Sequence, residues 1–93
     1  MRWYKITAKE THCGGKKGIQ VLYLWEKDVA EVIKKYKSLR GVPRTEIPNI
    51  RQLNSEEVSI LEKAIINERN WSIENAKKKI VRYDARGNCL PPI

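Results

Sequence analysis

Hydrophobic and polar residues alternate along the first ten residues of the chain. Tyr4, Ile6 and Ala8 share one face of an extended segment, and residues 3, 5, 7 and 9 share the other. This period of two residues is typical of a half-buried strand. Residues 19–25 (IQVLYLW) are apolar on both faces and rich in β-branched and aromatic residues, which predicts a central strand or one covered on both sides.

The stretch THCGGKKG, residues 11–18, joins these two strands. Its three glycines can adopt positive φ angles, which predicts a hairpin loop. A phosphate-binding loop would lead into a helix and show the Walker spacing, and this stretch does neither. His12 and Cys13 do not predict a Cys–His nucleophilic pair, because neighbouring side chains in an extended chain point to opposite faces.

A first helix is predicted after Asp28, which forms a capping box with Glu31, and it ends before Gly41 and Pro43. Helical spacing places a set of apolar residues on its core face: Val29, Val32, Ile33, Tyr36 and Leu39. Lys34 and Lys37 then project into solvent, with Lys35 at the flank.

Residues 44–53 predict a third strand, which Pro48 restricts to the edge of a sheet or breaks. Asn54 and Glu57 then mark the start of a second helix that runs to about Arg69. Its apolar stripe comprises Val58, Leu61, Ala64 and Ile65, widened by Ile60 and Ile66. Ser72 caps a shorter third helix that carries Ile73, Ala76, Ile80 and Val81, although residues 80–88 also fit a strand and turn. The ending CLPPI predicts no regular structure.

These elements predict one α+β domain over residues 1–93. Its small antiparallel β-sheet consists of a β-hairpin plus a third edge strand. Three helices pack on this sheet, and the order of elements is β-β-α-β-α-α.

The charge of the chain favours a polyanionic partner. Nineteen lysines and arginines against eleven acidic residues give a net charge of +8, although such a charge also serves solubility. Basic residues concentrate in residues 1–17 and 34–51 and again after residue 76, with an acidic segment at 54–75. We therefore expect contact with nucleic acid, RNA or DNA, ahead of an anionic membrane surface.

The nucleic-acid contacts are predicted on the first strand, the hairpin loop and the first helix with the segment that follows it. The candidate residues are Trp3, Lys5, Lys9, Lys16, Lys17, Lys34, Lys37, Arg40, Arg44 and Arg51. An exposed Trp3 would stack an unpaired base while lysines contact phosphates. The competing interpretation, which tryptophan's usual burial favours, packs Trp3 under the second or third helix.

The sequence predicts no catalytic or metal site and no cofactor. One histidine, two cysteines and carboxylates without recognisable spacing supply no ligand set, and no nucleophile signature is present. We therefore expect a non-enzymatic protein. No apolar run approaches the length of a membrane span, so we expect a cytoplasmic protein with Cys13 and Cys89 as free thiols.

Two alternatives remain open. The chain is of a size common among adaptors and inhibitors, including those of phage or mobile elements, which would bind a protein partner or form a homodimer. The two-sided apolar strand or the edge strand at residues 44–53 would provide that surface. The second and third helices, joined near Asn70, would also allow a helix-turn-helix with residues 77–82 on its second helix.

Overall fold

A computed structural model of the protein describes residues 1–10, 18–38, 49–84, 87 and 89–90. The strands are β1 (Arg2–Glu10), β2 (Gly18–Glu26), β3 (Asn49–Gln52), β4 (Val81–Asp84) and β5 (Cys89–Leu90). The helices are α1 (Val29–Ser38), α2 (Ser55–Glu68) and α3 (Ile73–Lys77). The α+β class and the order of the six predicted elements are confirmed, and two short strands follow them.

The strands form an antiparallel sheet in the order β3-β1-β2-β4-β5. β1 and β2 pair over their whole length, from Arg2 opposite Glu26 to Glu10 opposite Gly18, and so form the predicted hairpin. The hairpin connection, residues 11–17, lies outside the described residues. β2 is central and β3 is at an edge, as the sequence predicts, and residues 44–48 of the predicted third strand lie outside the described residues.

Helix α1 covers one face of the sheet. Tyr4 and Ile6 of β1 contact the same buried cluster as Leu22 and Leu24 of β2, and α1 contributes two buried side chains, Val32 and Tyr36. The predicted alternation along β1 is therefore correct for Tyr4 and Ile6. Because apolar β2 residues also face the opposite side, the strand packs against helices on both faces of the sheet.

Helices α2 and α3 cover the opposite face. Trp3 and Val81 from the sheet pack there against Leu61 and Ile65 of α2 and Ala76 of α3. The Trp3 side chain is 1% exposed and meets Trp25 edge-to-face, with ring centroids 5.5 Å apart. The interpretation that places Trp3 under the later helices is confirmed.

The predicted helix starts are confirmed by hydrogen bonds. The Asp28 Oδ1 atom accepts from the Glu31 backbone N–H at 2.9 Å. Asn54 and Glu57 form both bonds of a capping box, at 2.9 and 3.2 Å. Ser72 caps α3 by accepting from the backbone N–H of Asn75 at 3.2 Å.

Several predicted core positions are wrong, because they lie at the margin of their helices' apolar faces. Val29 is 44% exposed in the first turn of α1, and Ile60 and Ile66 of α2 are 63% and 50% exposed. At about 3.6 residues per turn, Ile60 and Ile66 project well away from the direction shared by Leu61 and Ile65. Leu39, also predicted in the core, lies outside the described residues.

The C-terminal part of the chain is extended rather than helical. α3 ends at Lys77, and residues 81–84 pair with residues 20–23 of β2. The strand interpretation of residues 80–88 is therefore correct for residues 81–84. β5 pairs with β4, which corrects the expectation that the segment beginning at Cys89 lacks regular structure. A five-residue α3 followed by a strand leaves no recognition helix, so the helix-turn-helix alternative is not supported.

Candidate basic cleft

A cleft opens where β2 extends past the start of β4. The last residue of β2 that pairs with β4 is Tyr23, opposite Val81, whereas β2 continues to Glu26. Beyond that point α1 lies on one face of the sheet and α3 on the other. The cleft between them has a volume of about 250 Å³, with Leu24 and Ile80 among its lining residues. Its polar lining comprises Lys35 and Ser38 of α1 and the consecutive lysines 77, 78 and 79.

A hydrogen-bonded turn at the end of α3 positions three of these lysines. The Lys78 backbone N–H donates to the Asn75 carbonyl at 3.2 Å, and that of Lys79 donates to the Ala76 carbonyl at 3.1 Å. Ala76 is fully buried and anchors this turn against the sheet. Cations at a helix C-terminus also interact favourably with the helix dipole. The position of these lysines therefore also has a structural explanation that requires no ligand.

Indole rings hold two of the lysine side chains. The Lys77 Nζ atom lies 4.1 Å from the centroid of the Trp25 ring, and the Lys79 Nζ atom lies 5.3 Å from that of Trp71. Such cation–π contacts are worth about 0.5–1 kcal/mol at exposed sites. They restrict the lysine side chains before any ligand binds, which lowers the entropic cost of binding an anion.

One carboxylate lies among the lysines of the cleft. The Lys35 Nζ atom forms an ion pair with Glu26, whose side chain is 9% exposed whereas that of Lys35 is 51% exposed. Among the described residues, the four lysines of the lining and the glutamate paired with Lys35 leave a formal excess of three positive charges, four minus one. Because a concave site focuses the field of its charges, this excess attracts anions more strongly than the same charges on a convex surface.

The residues predicted from the sequence do not form one surface with this cleft. Lys5 and Arg51 are cross-strand neighbours of β1 and β3, on the face that also carries Trp3. Lys34 and Lys37 are exposed on α1, over the opposite face. Since a ring that is 1% exposed cannot stack a base, the proposed stacking role of Trp3 is wrong.

Arg51 is occupied by an intramolecular partner. Its guanidinium donates to both carboxylate oxygens of Glu57, and one of these bonds measures 2.7 Å. This hydrogen bonding, together with the bond from the Asn54 backbone, lowers the pKa of the partly exposed Glu57 to about 2. The hydrogen bond to Glu57 also raises the pKa of Arg51. An ionised partner at every physiological pH makes Arg51 a poor phosphate ligand.

Four of the predicted nucleic-acid contacts lie outside the described residues: Lys16, Lys17, Arg40 and Arg44. Lys9 is described through its backbone, which pairs with Ile19. Sequence reasoning left out Lys35 and lysines 77–79 as site residues. For lysines 77–79, the available signal was that three lysines follow one another directly after the apolar positions of the third helix.

Metal-binding clusters and membrane-spanning helices are absent from the part of the chain that the structure describes. No three His, Cys, Asp or Glu side chains there are grouped to hold a metal ion. Within the same residues, no helix combines the length and the apolarity needed to cross a bilayer. The sequence matches no protein-family model, and comparisons with curated proteins and with solved structures return no match.

Proposed function

We propose that this protein binds nucleic acid, without catalysing a reaction, through the cleft between α1 and α3. The observation that carries the proposal is the convergence of Lys35 with lysines 77–79 on one concave site from opposite faces of the sheet. Lysine acts as a point charge toward phosphate, so this cleft suits backbone phosphates rather than base edges.

The shape of the cleft favours a flexible single strand over the other polyanions. A duplex has a persistence length of about 150 base pairs and resists bending into a small concavity, whereas a single strand bends a phosphate group into it. A flat anionic membrane would contact only the rim of the cleft. The lysines beside partly buried indole rings match the combination of charge and aromatic groups that single-strand binding sites use.

The salt dependence of the binding affinity should report how many lysines contact phosphate groups. Each phosphate contact on a single strand contributes about 0.7 to the slope of log affinity against log salt concentration. Replacing lysines 77, 78 and 79 with glutamine should therefore reduce that slope by about 2, if each contacts one phosphate. The measurement is fluorescence anisotropy of a labelled single-stranded oligonucleotide between about 50 and 200 mM salt.

A control variant with the same loss of charge distinguishes the effect of the cleft lysines' position from the effect of a lower net charge. Arg2, Lys27 and Lys63 are exposed and none of them lines the cleft, so replacing all three with glutamine removes the same formal charge. We expect this control to lose much less affinity and slope than the cleft variant. Equal losses in the two variants would show that the cleft is not the binding site, and wild-type binding by the cleft variant would refute the proposal outright.

A further inference from the structure

A second cavity lies on the face of the sheet covered by α2. Val21 and Tyr23 of β2 and Tyr83 of β4 line it from the sheet, and Ala64 and Ile60 line it from α2. Its volume is about 450 Å³, within the range of about 300–1,000 Å³ typical of small-molecule sites. None of the described residues lines both this cavity and the basic cleft.

The two tyrosine rings give this cavity an aromatic character. Tyr23 and Tyr83 are nearly perpendicular, at 85°, with centroids 5.8 Å apart. The Arg69 guanidinium already lies over the Tyr83 ring, 4.8 Å from its centroid. Because aromatic pairs favour offset-stacked and edge-to-face arrangements, a planar ring can stack on Tyr23 while it meets the edge of Tyr83. Burial raises the pKa of Tyr23, and the nearby Tyr83 adds to this effect, so the Tyr23 phenol stays neutral at physiological pH.

One polar group in the lining has unused hydrogen-bonding capacity. Glu57 lines the cavity, and its Oε1 atom accepts from Arg51 and from the Asn54 backbone while Oε2 accepts from Arg51. A carboxylate offers about four acceptor positions. These three bonds leave one position on Oε2, which a donor on a ligand would fill. The guanidinium of Arg51 balances the negative charge of the ionised Glu57, which favours a neutral ligand over a cation.

We propose that this cavity is a binding site for a neutral, planar heteroaromatic molecule of about bicyclic size that carries an N–H donor. Its rings would contact Tyr23 and Tyr83, and its N–H would donate to Glu57. The exposed Ile60 would cover the outer edge of the bound rings, which gives this apolar side chain a role at the mouth of the cavity. The site is independent of the proposed nucleic-acid cleft.

The experiment uses indole as the probe and benzofuran, which lacks the N–H, as the matched probe. NMR titration of the full chain follows the ring signals of Tyr23 and Tyr83. We expect indole to shift both signals saturably and benzofuran to bind about tenfold more weakly, because it loses a hydrogen bond to a charged group. Equal affinities would overturn the assignment of Glu57, and absence of saturable shifts with indole would overturn the site.

Two variants and one control test the location. Ala64→Phe fills the cavity and should weaken indole binding at least about tenfold, whereas Ile66→Phe, on the same helix but outside the lining, should leave it unchanged. Ile60→Lys places a charge at the mouth, at a residue that is 63% exposed, and should weaken binding severalfold without unfolding the chain. If Ala64→Phe binds indole as tightly as the wild type, the proposal is overturned. If Ala64→Phe does not fold, undiminished indole binding by Ile60→Lys overturns it instead.

Discussion

Replacing Ile65 with alanine tests how α2 packs on the sheet. Ile65 is fully buried in the cluster that contains Trp3 and Val81. The lost burial is worth about 0.8 kcal/mol per CH₂. Adding the cavity left behind gives an expected loss of about 2–5 kcal/mol in the free energy of unfolding. Its neighbour Ile66 is half exposed, so Ile66→Ala should cost less than about 1 kcal/mol.

Urea denaturation followed by circular dichroism measures both variants. For a protein of this size the free energy falls by about 1–3 kcal/mol per molar urea, so Ile65→Ala should lower the midpoint by about 1 M or more. Ile66→Ala should shift the midpoint by a small fraction of that value. Equal shifts, or a larger shift for Ile66→Ala, would mean that α2 presents a different face to the sheet and would refute the described packing.

Two further predictions concern glutamates. The pKa of Glu57 is lowered to about 2 in the folded protein from an ordinary 4.5, so its contribution to stability is present above pH 4.5 and is lost as the pH falls toward 2. Glu57→Gln should therefore flatten the decline of stability in this window, and an unchanged acid profile by urea titration would contradict the assignment. Glu26→Gln should strengthen oligonucleotide binding severalfold, because it removes the carboxylate paired with Lys35. Weaker binding by a folded Glu26→Gln variant would show that Glu26 positions Lys35 rather than competes with the ligand.

Local signals in the sequence predicted the local features of the fold. The capping residues Asp28, Asn54 and Ser72 each sit where their side chains accept backbone hydrogen bonds, and these signals depend on positions three residues apart. The period of two in β1 likewise needs no information from the rest of the chain. These predictions succeeded because the physical interactions behind them are short-range.

The end of α3 could not be predicted in the same way. Ile80 and Val81 continue the helical spacing of Ile73 and Ala76, so the local pattern favours a longer helix. The chain instead turns at lysines 77–79 and pairs with β2, whose open edge is supplied by residues far away in the sequence. Strand pairing of this kind is decided by long-range contacts that overrule local propensity.

The cleft was missed for a related reason. Lys35 was predicted at the flank of α1, and the run of lysines 77–79 was recognised, but their proximity depends on α1 and α3 covering opposite faces near the end of β2. The prediction that Trp3 of β1 stacks on a base was wrong because the Trp3 side chain lies in the core. A net charge indicates a class of partner, whereas the position of the site follows from the topology of the sheet.

The most direct test of the central claim is a map of backbone and indole NMR shifts during titration with a single-stranded oligonucleotide. If the cleft binds nucleic acid, the largest changes will fall on Lys35, Ser38, residues 77–80 and the Trp25 indole N–H. They should diminish together as salt is raised. Shifts confined to α2, or an absence of shifts in the cleft while the oligonucleotide binds, would contradict the account.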